Sequence, residues 1–188
     1  MNFKKDILLI DTELTGLDAD QHEIIQLAAV LLDKKTLKEK KVFSSYIRPS
    51  NWKHRNTESM AVNKISFDIL KEAPTAKEVI QLFEETFGHD VILAFYVGFN
   101  DKTFLLKTYK KAKIKWQFDY HYFDLWGLFY PYLAKKNLLN SKEDFSGFGL
   151  EYLVKILKIK VDESTLHDAL VDCRLEAEIL RRVIKELK

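Results

Sequence analysis

Cysteine, long apolar runs and net charge are all scarce in this chain, and each scarcity limits what the protein can be. Cys173 is the single cysteine among 188 residues, so an internal disulfide is excluded and a reducing compartment is favoured. No apolar run approaches the roughly 20 residues that span a bilayer, so we expect no membrane association. The first six residues lead directly into an apolar segment and leave no room for a signal peptide, so we expect a cytoplasmic protein.

The charge distribution says little about partners. A net charge of +2 is too small to indicate a nucleic-acid partner by itself. Lysines cluster in residues 34–41 and 107–115, and such clusters either contact phosphates or form the solvated faces of a hairpin and a helix. With 47% hydrophobic and 31% charged residues, and no repeat or linker, the sequence predicts a single globular domain over residues 1–188.

The rest of the chain is organised around residues 7–13. Ile7 to Ile10 form an apolar run that predicts a central strand buried on both faces. Alternate side chains of a strand point the same way, so Asp11 and Glu13 should project together from the carboxyl end of this strand. So short a pattern is far more often two solvated charges where a strand leads into a loop, and a function for it depends on the rest of the chain.

The hydrophobic pattern predicts an α/β fold. We expect further strands over residues 24–32, 42–47, 91–94 and 121–123, and helices over residues 76–87, 101–113, 124–135, 149–157 and 165–187. Polar residues 50–66 predict a loop with a short helix, and residues 137–146 predict another loop. A meander followed by alternating strands and helices indicates a mixed five-stranded sheet, antiparallel in its first part and parallel in its second, flanked by helices.

Two further stretches carry polar residues that could join the first. Thr165 is a fair N-cap for the last helix, which places His167 in its first turn, followed by Asp168 and Asp172 as competing carboxylates. Cys173 is best interpreted as a small buried apolar residue. Asp101 follows the fourth strand and could simply cap the next helix.

Together the three stretches resemble the DEDDh, or DnaQ-like, family of 3'–5' exonucleases. The first motif is Asp11-Thr12-Glu13-Leu14-Thr15-Gly16-Leu17, the second runs from Asp101 to Leu105, and the third is His167 with Asp172 five residues later. The resemblance covers nearly the whole chain, with the motifs in the family's order. It implies an RNase H-like fold and hydrolysis of phosphodiester bonds from the 3' end of single-stranded DNA or RNA.

The resemblance also implies a role for each motif residue. Two divalent ions, Mg²⁺ or Mn²⁺, would be held by Asp11, Glu13, Asp101 and Asp172, with Asp11 bridging them and Asp101 supporting the second ion. His167 would take the proton from the attacking water. Leu14 and Thr15 would contact the terminal nucleotide. Association with a polymerase and a homodimer are both open, as is a non-catalytic nucleic-acid-binding module of the same fold.

The sequence departs from the family pattern at two positions. Asn100 stands directly before Asp101, and a shifted register would put Asn100 at the carboxylate position. We favour Asp101 because it keeps the spacing to Phe104 and Leu105. Gln26 stands where the family commonly has a glutamate, which keeps hydrogen-bonding ability without the charge.

Overall fold

The computed structural model describes residues 3–139 and 148–187. The strands are β1 (Ile7–Leu14), β2 (Ile24–Leu32), β3 (Glu39–Tyr46), β4 (Ile92–Phe95) and β5 (Tyr122–Asp124). The α-helices are α1 (Thr57–Asn63), α2 (Phe67–Lys71), α3 (Ala76–Phe87), α4 (Gly98–Ala112), α5 (Leu125–Lys135), α6 (Leu150–Ile156) and α7 (Ala169–Glu186). Within these described ranges no helix is long and apolar enough to cross a membrane.

The five strands form one mixed sheet in the order β3-β2-β1-β4-β5. β1 pairs with β2 and β2 with β3 in antiparallel fashion, whereas β4 runs parallel to β1 and to β5. The predicted sheet and its flanking helices are thereby confirmed. β1 lies in the centre, which is why its apolar run from Ile7 to Ile10 is fully buried.

Each face of the sheet is covered by its own apolar cluster. Alternation along β1 sends Ile7 and Leu9 to the face covered by α5, α6 and α7, and sends Leu8 and Ile10 to the face covered by α3 and α4. Cys173 is fully buried on α7 against β1 and β2, as expected of a small apolar residue. The central strand is therefore fixed from both sides, and so are the side chains at its carboxyl end.

Several predicted boundaries differ from the structure. β3 begins three residues earlier than expected because edge-strand pairing with Leu32 continues through exposed residues. α4 also begins three residues early, so Asp101 lies in its first turn and does not cap it. Residues 50–66 contain α1 and a 3₁₀ turn at Trp52–His54, and α2 follows directly. Most of the predicted loop at 137–146, from residue 140 onward, lies outside the described residues.

The predicted start of the last helix was wrong. α7 begins at Ala169, and its N-cap is Asp168, whose carboxylate accepts hydrogen bonds from the backbone N–H groups of Leu170 and Val171. Thr165 instead ends a 3₁₀ turn, and His167 has a positive φ of 65°, which is incompatible with a continuous helix. A charged carboxylate that accepts two N–H groups is the stronger cap, so the helix begins after it.

Gln26 connects β2 to this helix start. Its amide nitrogen donates to Asp168 at 3.0 Å, and its amide oxygen accepts from the backbone N–H of Ala169 at 3.4 Å. Gln26 is only 3% exposed, so these partners are not replaced by water. A glutamate here would face Asp168 without a donor, which explains why an amide suits this chain.

Gln26→Glu tests this bridge. The substitution removes the donor and brings two like charges together, so we expect the free energy of unfolding at pH 7 to fall by about 1–3 kcal/mol in urea denaturation. Gln21→Glu is the matched control, because the Gln21 amide also donates to an aspartate, Asp18, but on the exposed surface. The control should change stability by less than about 0.5 kcal/mol. Equal losses in the two variants would contradict the bridge.

Candidate active site

Four acidic side chains singled out by the sequence converge at the carboxyl end of β1. Asp11 and Glu13 lie on β1, Asp101 comes from the first turn of α4, and Asp172 comes from the first turn of α7. Asp11, Asp101 and Asp172 line one cavity of about 600 Å³. Glu13 lines a neighbouring cavity of about 550 Å³, and Val62 borders both. The two cavities are therefore adjoining spaces at the same end of the sheet.

Asp101, rather than Asn100, makes the contact with the central strand. The hydroxyl of Thr12 on β1 donates to the Asp101 carboxylate at 2.6 Å. Asn100 also borders the cavity, but it is exposed and lies one residue nearer the helix start. This geometry supports the register with Asp101 at the carboxylate position.

Glu13, His167 and Asp172 form the outer group of the site. One ligand atom from each can be chosen so that all three lie within 4.8 Å of one another. Asp168, the other candidate carboxylate near His167, instead caps α7 and accepts a hydrogen bond from the amide of Gln26. The structure thus distinguishes Asp168 from Asp172, which their spacing from His167 alone could not do.

His167 lies two residues before α7, not inside its first turn. Its Nε2 is 2.9 Å from an Oε atom of Glu151 on α6. Because a carboxylate only accepts hydrogen bonds, this contact indicates a proton on Nε2. Glu151 orients the imidazole, and no signal in the sequence distinguished it from other surface glutamates.

Leu14 lines the second cavity, and Thr15 follows it in the chain without lining either cavity. The Leu14 carbonyl accepts a hydrogen bond from the Asn63 side chain. Thr15 is 2% exposed, its backbone N–H donates to Glu23 and its carbonyl accepts from Asn56. These bonds fix the backbone beside the cavity, and nucleotide contact by either residue stays a prediction.

Burial and mutual repulsion raise the pKa values of the converging carboxyl groups. Burial raises the pKa of Glu13 to about 8, and the neighbouring Asp172, Asp101 and Asp168 add to the effect. Burial raises the pKa of Asp172 to about 6 against the opposing influence of His167, and that of Asp101 to about 6 against the hydroxyl of Thr12. The pKa of Asp11 also lies well above its ordinary value, first through burial and then through Asp101 and Glu176.

Such a set of acids suits a divalent cation. None of the described residues that line the larger cavity is a lysine or an arginine. One Oδ atom of Asp172 is buried with no hydrogen-bond partner among the described residues. Hard ions such as Mg²⁺ and Mn²⁺ prefer carboxylate oxygens and supply the positive charge that the side chains here lack. The residues therefore fit the ions that the resemblance implies.

Glu176 is a site residue that the sequence analysis missed. It is 1% exposed, it lines the larger cavity, and it lies four residues after Asp172 on α7. The available signal was its position in the buried register between Cys173 and Ala177, where a charge is unexpected. The family motifs end at Asp172 and do not include Glu176.

Known proteins resemble this chain over most of its length. The family model described as Exonuclease matches residues 8–180. The DNA polymerase III subunit epsilon of Aquifex aeolicus is 29% identical over 185 residues, which is 96% of this chain and 81% of that protein. The DNA polymerase III PolC-type of Bacillus subtilis is 27% identical over 188 residues, covering 95% of this chain but only 11% of that protein.

Solved structures share the fold at lower identity. The nuclease domain of 3'hExo, a DEDDh family member bound to rAMP, has a TM-score of 0.78 and 20% identity, with 99% of this chain and 95% of that chain covered. Cell-death related nuclease 4 has a TM-score of 0.79 and 19% identity. The match covers 97% of this chain but only 64% of that chain, which is less than two thirds. Escherichia coli exonuclease I in complex with a dA16 oligonucleotide has a TM-score of 0.78 and 17% identity. The match covers 97% of this chain and 41% of that chain.

The family model spans far more than half of the chain, and the strand order, the acidic convergence and the structural likeness agree with it. This chain therefore belongs to the DEDDh exonuclease family, with an RNase H-like fold.

Proposed function

We propose that this protein is a 3'–5' exonuclease that releases nucleotides from single-stranded 3' ends with the help of two divalent ions, Mg²⁺ or Mn²⁺. The observation that carries the proposal is the convergence of Asp11, Glu13, Asp101 and Asp172 with His167 at one end of the sheet. A bound divalent ion activates water and offsets the charge that develops on a phosphodiester. The four carboxylates supply the oxygen ligands for such ions.

In this proposal Nδ1 of His167 accepts the proton of the attacking water, because Nε2 carries the proton donated to Glu151. The imidazole is beside Glu13 and Asp172, and Glu151 holds it in place. A base that a carboxylate orients is a recurring arrangement in hydrolytic sites. The 39% exposure of the His167 side chain leaves a route for the proton to solvent.

The substrate proposal rests on the surface around the two cavities. Leu17 borders the second cavity and is 74% exposed, and Phe99 on α4 is 75% exposed. Exposed apolar and aromatic side chains provide stacking surfaces for the unpaired bases of a single strand. Similarity to proteins named as DNA polymerase III subunits supports association with a polymerase, whereas a homodimer and a cytoplasmic location stay predictions.

The exonuclease proposal is tested with matched 3'-labelled and 5'-labelled DNA and RNA oligonucleotides. We expect stepwise release of mononucleotides from the free 3' end, abolished by EDTA and restored by Mg²⁺ or Mn²⁺. Asp101→Asn should abolish release, whereas the neighbouring Asn100→Ala should retain most of it. Binding of the strands without turnover would indicate the non-catalytic module, and cuts in a circular single strand would exclude an exonuclease.

His167→Ala separates the base from the metal ligands. Loss of a general base typically lowers the rate about 10²- to 10⁴-fold, so the single-turnover rate should fall in that range while calorimetry still detects Mn²⁺ binding. Asp11→Ala should lose Mn²⁺ binding as well as turnover. Since His167 lies within 4.8 Å of two carboxylates, it could instead be a ligand. Equal loss of Mn²⁺ binding in both variants would end its assignment as the base.

The metal-free protein should become less stable as pH rises. Folding raises the pKa of Glu13 to about 8, and those of Asp101 and Asp172 to about 6. Unfolded carboxyl groups titrate near about pH 4, so between about pH 4 and pH 8 the folded state binds more protons and its stability falls with rising pH. In EDTA we expect a lower Tm at about pH 8 than at about pH 5. Saturating Mg²⁺ should raise Tm more at the higher pH.

Glu13→Gln is the control for this pH dependence. The variant lacks the carboxyl group with the highest pKa of the three, so its Tm in EDTA should decline less across the same range. A Tm that rises with pH in metal-free wild-type protein would contradict the account.

A further inference from the structure

Glu176 has a buried carboxylate that the proposed reaction does not yet use. The residue is 1% exposed, and neither carboxylate oxygen has a hydrogen-bond partner among the described residues. It lies one helical turn after Asp172, so both side chains leave the same side of α7 and line the same cavity. The exonuclease motifs assign no role to this position. A buried carboxylate without partners requires a physical explanation.

No described basic side chain neutralises Glu176. The three arginines of α7 are engaged elsewhere: Arg174 binds Glu39, and Arg181 and Arg182 bind Glu178 together with backbone carbonyls. The charged groups that act most strongly on Glu176 are Asp101 and Asp172, both of the same sign. Its environment inside the protein is therefore entirely unfavourable to a free carboxylate.

A proton alone does not account for the geometry. A protonated Glu176 would donate its O–H to a neighbouring carboxylate, as the Thr12 hydroxyl does to Asp101. Neither oxygen of Glu176 makes such a bond within the described structure. Two oxygens without partners that line a cavity with other acids are better matched by a cation in the space between them.

Glu176 shares its cavity with Asp11, Asp101 and Asp172, and we call Asp11, Asp101 and Glu176 the inner group of carboxylates. These come from β1, α4 and α7, and electrostatic repulsion links Asp11 to both of the others. The outer group, Glu13, His167 and Asp172, comes from β1, from the residues just before α7 and from the first turn of α7. The site thus contains two sets of donors, each drawn from more than one element.

We propose that Glu176 is a protein ligand of the second divalent ion, which it holds together with Asp11 and Asp101. This proposal rests on the exonuclease function proposed above. With Asp101 and Glu176 besides Asp11, the inner ion would have three carboxylate ligands from the protein, enough to bind before nucleic acid arrives. Both ions then occupy the substrate-free protein.

The test is a titration of metal-free, substrate-free protein with Mn²⁺, in which calorimetry and the electron paramagnetic resonance signal of free Mn²⁺ report the number of bound ions. Wild-type protein should bind two ions, and Glu176→Gln, which keeps the shape but not the charge, should bind one. Glu176→Met, an apolar side chain of similar length, should also bind one. Glu85→Gln removes an exposed glutamate from α3 and should still bind two.

The thermal melting of the metal-free variants guards against a folding artefact. Removing a buried, repelled carboxylate should leave the Tm of Glu176→Gln in EDTA equal to or above that of wild-type protein. Two ions in Glu176→Gln, or a single ion in wild-type protein, would overturn the proposal. Failure of the exonuclease function would appear separately, as no nucleotide release by wild-type protein whatever its ion count.

Discussion

Mutual repulsion among buried carboxylates at the end of β1 is the constraint on which the rest of this structure depends. Asp11 and Glu13 lie on β1, which is paired with a strand on each edge. Asp101 comes from α4, and Asp172 and Glu176 come from α7. Each of these acids has a raised pKa, with burial as the largest cause. The arrangement is unfavourable without a cation, so the remainder of the fold must supply the stability that holds it together.

The apolar layers on both faces of the sheet provide that stability. β1 is paired on both edges, and its apolar residues are divided between two separate clusters. α7 packs along β1 and β2 through a face that includes the buried Cys173, and Gln26 ties its first turn to β2. Because interiors pack densely, carboxylates that start from such elements cannot separate to relieve their repulsion. The packing of these elements thus holds the donors of the proposed cation site in place.

The sequence predicted the parts of this site that depend on strong local patterns. The apolar run Ile7 to Ile10 predicted the central strand, and the family motifs predicted that Asp11, Glu13, Asp101 and Asp172 lie together. The start of α7 was predicted wrongly because Thr165 and Asp168 are both acceptable caps by residue type. The outcome depended on Gln26, 142 residues away from Asp168, which propensity rules do not include.

Glu176 shows why motif positions alone describe such a site incompletely. Its place beside Cys173 and Ala177 in the buried register of α7 was the only sign in the sequence, and no exonuclease motif includes it. Only the rotation of α7 against the sheet, fixed by Cys173 and Ala177 packing inward, turns Glu176 toward Asp11. Asp172 and Glu176 then face the same cavity from successive turns, so in the proposed two-ion site a single helix would carry donors for both ions. A change in the packing of α7 would displace both sets of donors at once, which couples the packing of the helix core to the proposed chemistry.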